Sequence, residues 1–186
     1  AAAGIPVFST PGANANAVKE LVICAMLMGS RDIPGAIRWV REQAASGVDV
    51  STVVEKGKSA FIGPELYKKT LGIIGLGAIG KRVAGIAEAF GCEVQCYSTS
   101  GKNHCADYRE VDFDTLLSTS DVISIHAPLT EETRHLMDRE AFRRMKNTAV
   151  LINVGRGPII VEQDLREALE QGEIAAAGLD VLDAEP

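Results

Sequence analysis

Twelve residues, Lys69-Thr-Leu-Gly-Ile-Ile-Gly-Leu-Gly-Ala-Ile-Gly80, constrain the fold of this chain more than any others. A β-prone apolar run, Leu71 to Ile74, flows into Gly75-x-Gly77-x-x-Gly80, and a helical pattern starts at once from Lys81 to Phe90. That order predicts a strand, a tight glycine turn and a helix N-terminus. The three glycines serve different ends. Gly75 lets the chain turn, Gly77 lets a pyrophosphate approach the backbone, and Gly80 lets the helix pack close to the strand. The free N–H groups and the dipole of the new helix then favour phosphate. A lone GxGxxG also occurs in purely structural turns; the strand before it and the helix after it make this one a dinucleotide-binding candidate.

The remaining sequence supports a layered α/β fold. Apolar runs at Glu93–Tyr97, Asp121–His126, Ala149–Asn153 and Ala175–Leu179 read as strands, and Tyr108–Val111 as a weak one. Helical patterns at Phe113–Ser118, Asp138–Met145 and Val161–Gln171 fall between them, the last stopped by Gly172. This alternation predicts right-handed crossovers and a doubly wound parallel sheet of Rossmann type. Upstream, Ile5–Phe8 reads as a short strand. A helix runs from Asn14 or Asn16 to about Ala45, with a break expected at Pro34-Gly35. A connector with a short helix fills Ser46–Lys69. Residues 1–12 are taken as the remnant of a substrate-domain strand and crossover, and 13–186 as the dinucleotide-binding domain.

At 186 residues and a net charge of −6 the chain has no basic block, which argues against nucleic acid. An acidic protein must hold an anionic cofactor by local dipoles and a few placed cations. The apolar run Leu21–Met28 is eight residues, too short to span a membrane, and reads as a buried helix face. Ala1-Ala-Ala-Gly-Ile-Pro has no basic start or apolar core of a secretory signal. Cys24, Cys92, Cys96 and Cys105 show no metal-ligand spacing, so no metal is expected and the thiols read as reduced, in keeping with a cytoplasmic protein.

In a fold of this type an Asp or Glu should close the second strand, about 20 residues past the glycines, to bind the adenosine ribose. Here Ser98 stands there, 18 residues after Gly80, followed by Thr99, Ser100, Gly101 and Lys102. Two readings stay open: NADP is accepted, its 2′-phosphate welcomed by hydroxyls and a cation, or NAD binds through a weaker hydrogen bond. The absence of an Arg from the loop weighs against NADP.

Three further segments sit at strand ends, where an open α/β sheet binds ligands. His126-Ala-Pro-Leu-Thr130 offers His126 as a base or, beside a cofactor wall, as a structural residue. Leu151-Ile-Asn-Val-Gly-Arg-Gly157 holds Arg156 between glycines, suited to grip a carboxylate bidentately. Gly178 to Pro186 carries Asp180 and Glu185, 24 and 29 residues after Arg156.

These four segments, in this order and spacing, resemble the NAD-binding domain of the D-isomer-specific 2-hydroxyacid dehydrogenases over nearly the whole chain. Within that family Pro11–Val18, Ser30–Ile33 and Glu55–Ser59 look most like bacterial phosphoglycerate dehydrogenases, with glyoxylate/hydroxypyruvate reductases the near competitor. The resemblance implies hydride transfer to or from a D-2-hydroxy acid, foremost D-3-phosphoglycerate in serine biosynthesis, with NAD as cofactor. A non-catalytic NAD(H)-sensing corepressor-like protein is the alternative from another class. It places Arg156 at the substrate-binding arginine, which polarises the 2-oxo acid's carbonyl. Glu185 falls at the partner of the catalytic histidine, and Asp180 at the holder of the nicotinamide carboxamide. Gly75, Gly77, Ala78, Ile79, Gly80, Ser98, Ala127, Pro128, Val154 and Gly155 fall at cofactor contacts, with Arg156 beside them. It further implies a catalytic histidine beyond Glu185 and a substrate domain largely before Ala1, so the fragment is expected to bind cofactor without turnover. A homodimer through the nucleotide domain is the partner it implies.

Overall fold

A computed structural model describes residues 8, 10–98 and 107–184. Its centre is a six-stranded, wholly parallel sheet of β1 (Thr70–Ile74), β2 (Glu93–Tyr97), β3 (Arg109–Glu110), β4 (Val122–Ile125), β5 (Val150–Asn153) and β6 (Ala176–Leu179), in the order β3-β2-β1-β4-β5-β6. This is the doubly wound order of dinucleotide-binding folds, and its direction reverses between β1 and β4.

Strand periodicity sends alternate side chains to opposite faces, and both faces are covered. On one face Leu71, Ile73, Val122, Val150 and Ile152 pack against Val22 and Met26 of α1 (Ala15–Arg31) and Val83, Ala84 and Ala87 of α4 (Ala78–Ala89). On the other, Ile74, Ile123, Ile125 and Leu151 meet Leu116 and Leu117 of α5 (Phe113–Thr119), Phe142 of α6 (Arg139–Arg144) and Leu165 and Ala168 of α7 (Glu162–Gln171). The strands in the middle of the sheet carry almost no exposed surface, which is why they read as unbroken apolar runs.

The expected break in the first long helix falls earlier than Pro34-Gly35. Asp32 takes the left-handed conformation, with φ of 37°, and its carboxylate accepts from the Gly35 N–H at 3.1 Å. It thereby caps α2 (Ile33–Ala45). Pro34 is tolerated in the first turn of α2, where its missing N–H has no partner to lose. The connector forms α3 (Val50–Gly57) and a short 3-10 turn, Lys58–Phe61, whose Phe61 ring lies 5.8 Å from that of Trp39. Gly35 is the sole buried residue of α2 and α3 has none, so this arm stands off the sheet.

The weak strand at Tyr108–Val111 contracts to the two residues of β3, held at the sheet's edge. The strand expected at Ile5–Phe8 lies outside the described residues except Phe8, which is irregular and exposed. The polar loop after Ser98 also lies outside them. Reduced thiols hold for Cys24 and Cys92. They fail for Cys96, buried in β2, which is disulfide-bonded.

Candidate functional site

In the β1–α4 turn the three glycines stand in different surroundings. Gly75 has a φ of +92°, and a Cβ there would lie 2.7 Å from the backbone nitrogen of Ala127. Side chains avoid that conformation, and the β4 end leaves no room for one. At Gly80 a Cβ would lie 2.6 Å from the Gly75 carbonyl oxygen and 3.2 Å from Ile73 Cγ2, so the helix rests directly on the turn and the strand. Gly77 meets nothing within 4 Å. It is the N-cap residue of α4, whose first N–H groups have no side-chain cap among the described residues. Free N–H donors beside uncovered backbone are the features a pyrophosphate needs.

Backbone hydrogen bonds tie the neighbouring strand ends to this turn. Gly75 N–H donates to the Tyr97 carbonyl at 3.0 Å, which sets half-buried Ser98 next to the turn at the end of β2. His126 N–H donates to the Ile74 carbonyl at 2.7 Å. Ala127 is buried and Pro128 exposed. The loop after them is pinned by Thr133, which was not singled out in the sequence. Its wholly buried hydroxyl donates to the Pro128 carbonyl at 2.6 Å and accepts from Thr130 N–H at 2.7 Å. The Thr-x-x-Thr spacing was the available signal, a side chain bonding nearby backbone.

His126 Nε2 lies 2.9 Å from Ser124 Oγ, two residues back on the same face of the strand. Its Nδ1 is buried with no hydrogen-bond partner among the described residues. Burial pushes its pKa down to about 4, so the ring is neutral at physiological pH. Such a ring is a poor proton carrier at neutral pH, which favours the structural role over the base.

At the β5 end Asn153 is wholly buried and bonds the turn twice: its Nδ2 donates to the Arg156 carbonyl and its Oδ1 accepts from Gly155 N–H, each at 3.0 Å. Val154 and Gly155 are half-buried, while Arg156 is exposed and donates from Nη1 to the Gly155 carbonyl at 2.8 Å. Among the described residues Arg156 forms no ion pair. Asp180 follows β6, exposed, and its backbone N–H donates to the Asn153 carbonyl at 3.0 Å. The chain then crosses over Gly157, where any Cβ would collide with the Leu182 backbone, and Asp183 N–H donates to Glu162 at 2.5 Å. Glu185 lies outside the described residues.

The other site residues therefore meet along one carboxyl edge, from Ser98 across the glycine turn to Asp180. A cavity of about 330 Å³ between α1 and β6 borders Asp180. Its lining of Leu21, Ala25, Met28, Ala177 and Leu179 suits neither phosphate nor ribose. Among the described residues no three His, Cys, Asp or Glu side chains gather as metal ligands, and no helix is long and apolar enough to cross a membrane.

Residues 23–186 match the family described as D-isomer specific 2-hydroxyacid dehydrogenase, NAD binding domain. Hydroxypyruvate reductase of Thermotoga maritima is 41% identical over 183 residues, which is 98% of this chain and 56% of that protein. Glyoxylate reductase of Aeropyrum pernix is 41% identical, over 98% of this chain and 54% of the relative. D-3-phosphoglycerate dehydrogenase of Synechocystis is 39% identical, over 98% and 32%. The chain thus spans about half or less of these relatives' length. Among solved structures, D-lactate dehydrogenase with NAD+ from Lactobacillus jensenii superposes with a TM-score of 0.73 at 34% identity, over 96% of this chain and 50% of that one. An acyclic imino acid reductase in complex with NADPH and D-arginine gives 0.80 at 34%, over 92% and 52%.

Proposed function

This chain belongs to the D-isomer specific 2-hydroxyacid dehydrogenase family, as its NAD-binding domain, and we propose from this that the protein carrying it transfers hydride between NAD and a D-2-hydroxy acid, with D-3-phosphoglycerate the leading substrate. The observation that carries this is Arg156: an exposed guanidinium with no ion pair among the described residues, its turn clamped by Asn153, at the same strand edge as the open backbone of Gly77.

In this reading residues 13–186 are the dinucleotide-binding domain, and residues 1–12 come from the connection to a substrate domain. Gly75, Gly77, Ala78, Ile79 and Gly80 cradle the pyrophosphate, and Ser98 faces the adenosine ribose. Ala127, Pro128, Val154 and Gly155 form the wall of the cofactor site. Asp180, whose carboxylate bonds no described residue, accepts from the nicotinamide carboxamide. Bound NAD supplies the two-electron redox chemistry. Arg156 grips the substrate carboxylate and polarises the 2-oxo group, so that negative charge developing on that oxygen is stabilised. Glu185 keeps its expected role of raising the pKa of a histidine that acts as acid or base. The protein works in the cytoplasm as a homodimer.

The reductive direction on hydroxypyruvate or glyoxylate is the second reading, favoured by relatives of those names at 41% identity. Steady-state assays of the full-length protein with D-3-phosphoglycerate, hydroxypyruvate and glyoxylate decide between them. Turnover of at least one acid is expected, with KM raised about tenfold or more by Arg156→Gln on loss of a bidentate ion pair. No turnover of any of the three, with cofactor still bound, would overturn the enzymatic reading.

A further inference from the structure

The loop of residues 128–137 and the turn that carries Arg156 leave different strands, β4 and β5, yet their backbones are laced together. His135 N–H donates to the Pro158 carbonyl at 2.9 Å, and Met137 N–H to the Ile159 carbonyl at 3.0 Å. Val161 N–H returns a bond to the Met137 carbonyl at 2.9 Å. Ile159 N–H in turn donates to the Arg156 carbonyl at 3.3 Å. Met137, Ile159 and Ile160 are buried in one core cluster, with Leu129 and Leu136 packed against it.

Two features of the loop decide where those bonds fall. The wholly buried Thr133 hydroxyl donates to the Pro128 carbonyl at 2.6 Å and accepts from Thr130 N–H at 2.7 Å, so one oxygen fixes residues 128–133. Leu136 N–H then donates to the Thr133 carbonyl at 3.3 Å, and His135, the third residue of that turn, has a φ of 55°. A non-glycine residue keeps that conformation only where its surroundings hold it. The His135 side chain is exposed and is not what holds it. Its backbone is held between the turn that starts at Thr133 and the Pro158 carbonyl.

A loop clamped in this way transmits its position. A shift at Pro128 reaches Pro158 through hydrogen-bonded backbone and buried side chains, and Pro158 is two residues from Arg156. Asn153 holds the other end of the same turn. Arg156 is therefore located from two sides, by β5 through Asn153 and by the loop after β4 through Thr133.

We propose that Thr133 is a positioning residue for the reaction: it sets Arg156 relative to Ala127 and Pro128, so that the acid is gripped in register with the cofactor. The proposal rests on Arg156 holding the substrate carboxylate.

Steady-state kinetics of the full-length protein test it, on whichever of D-3-phosphoglycerate, hydroxypyruvate and glyoxylate the wild type turns over. Thr133→Val replaces the hydroxyl by a methyl group and should lower kcat/KM about tenfold, the equivalent of one hydrogen bond. Thr133→Ser keeps the hydroxyl and should stay within about threefold of wild type. In an Arg156→Gln background Thr133→Val should lower kcat/KM by less than about twofold, because a residue that acts through Arg156 has nothing left to place. His135→Val puts a β-branched side chain into the left-handed conformation at an exposed position. It is expected to fold and to follow the same pattern, and it decides the question where Thr133→Val does not fold. Unaltered kcat/KM, equal losses in Thr133→Val and Thr133→Ser, or a loss that multiplies with that of Arg156→Gln would overturn the proposal and leave the functional reading standing. No turnover of any of the three acids by the wild type takes down the functional reading, and the proposal with it.

Discussion

The side-chain amide of Asn153, wholly buried at the end of β5, donates to the carbonyl oxygen of Arg156 three residues later, while its oxygen accepts from Gly155 N–H. One side chain thus bonds the turn at two points, beside the 3-10 turn bond from Ile159 N–H to the Arg156 carbonyl at 3.3 Å. Because the Asn153 carbonyl also takes the Asp180 N–H, the same residue sets the relative positions of the β5 and β6 ends.

Asn153→Ala is expected to lower unfolding free energy by about 1–3 kcal/mol, since it removes both hydrogen bonds that the wholly buried side chain makes to the turn. Asn153→Asp keeps the acceptor for Gly155 N–H but loses the donor to Arg156. It should therefore raise KM for the acid substrate in the full-length protein more than it lowers stability. Urea unfolding and steady-state kinetics measure the two; a stability loss with unchanged KM would confine Asn153 to folding.

The glycines of the β1–α4 turn should separate into structural and functional members. Gly80→Ala places a methyl group against the Gly75 carbonyl and should destabilise the chain by about 1–3 kcal/mol. Gly77→Ala meets open space and should change stability by less than about 1 kcal/mol. Its methyl group would occupy the space left for the pyrophosphate, and NAD affinity should fall on the order of tenfold or more. Thermal unfolding with and without NAD distinguishes these outcomes. Unaltered NAD binding by Gly77→Ala would count against the phosphate site.

His126 makes stability depend on pH. Its folded pKa is lowered from 6.5 to about 4 by burial, so the unfolded chain binds the proton more readily. Its neutral form contributes fully above pH 6.5, and that contribution is lost as pH falls toward 4. The loss at pH 5 is at most about 2 kcal/mol. Hydrogen bonds hold the carboxyls of Asp49, Asp112 and Glu132 below their usual range, so none of them titrates between pH 7 and 5. Denaturant midpoints at pH 7, 6 and 5 should fall steadily in the wild type and flatten in His126→Asn. Parallel slopes in the two proteins would show that another group is responsible.

The arm of α2 and α3 leaves Ile33, Ile37 and Val40 exposed and buries almost none of its own side chains. A helix keeps an apolar stripe exposed at a cost that a second copy can remove. Ile37→Glu should convert a dimer to a monomer in analytical ultracentrifugation with little change in the monomer's own unfolding, because Ile37 is half exposed and packs on no core. A monomeric wild type would remove the basis for the homodimer.

Most of the fold was legible in order because each local signal agreed with the next. The strand boundaries came within a residue or two, Gly172 ended α7 in the left-handed conformation as its position implied, and the glycine turn opened the helix it was expected to open. The break before α2 was misplaced because a proline is the stronger sequence signal, whereas Asp32 turned the chain through a side-chain bond that propensity does not encode. Cys96 shows the same blindness to pairing.

Residue type and short spacing were enough to give the alternation of strands and helices, the glycine turn with its phosphate-ready helix, and the absence of an acid at Ser98. They could not show that Asn153 and Thr133 hold the loops around Arg156 and Pro128, or that His126 sits neutral on Ser124. Those relationships came from the folded chain, because they depend on burial and on contacts between distant strands, which a linear pattern of residue types does not carry.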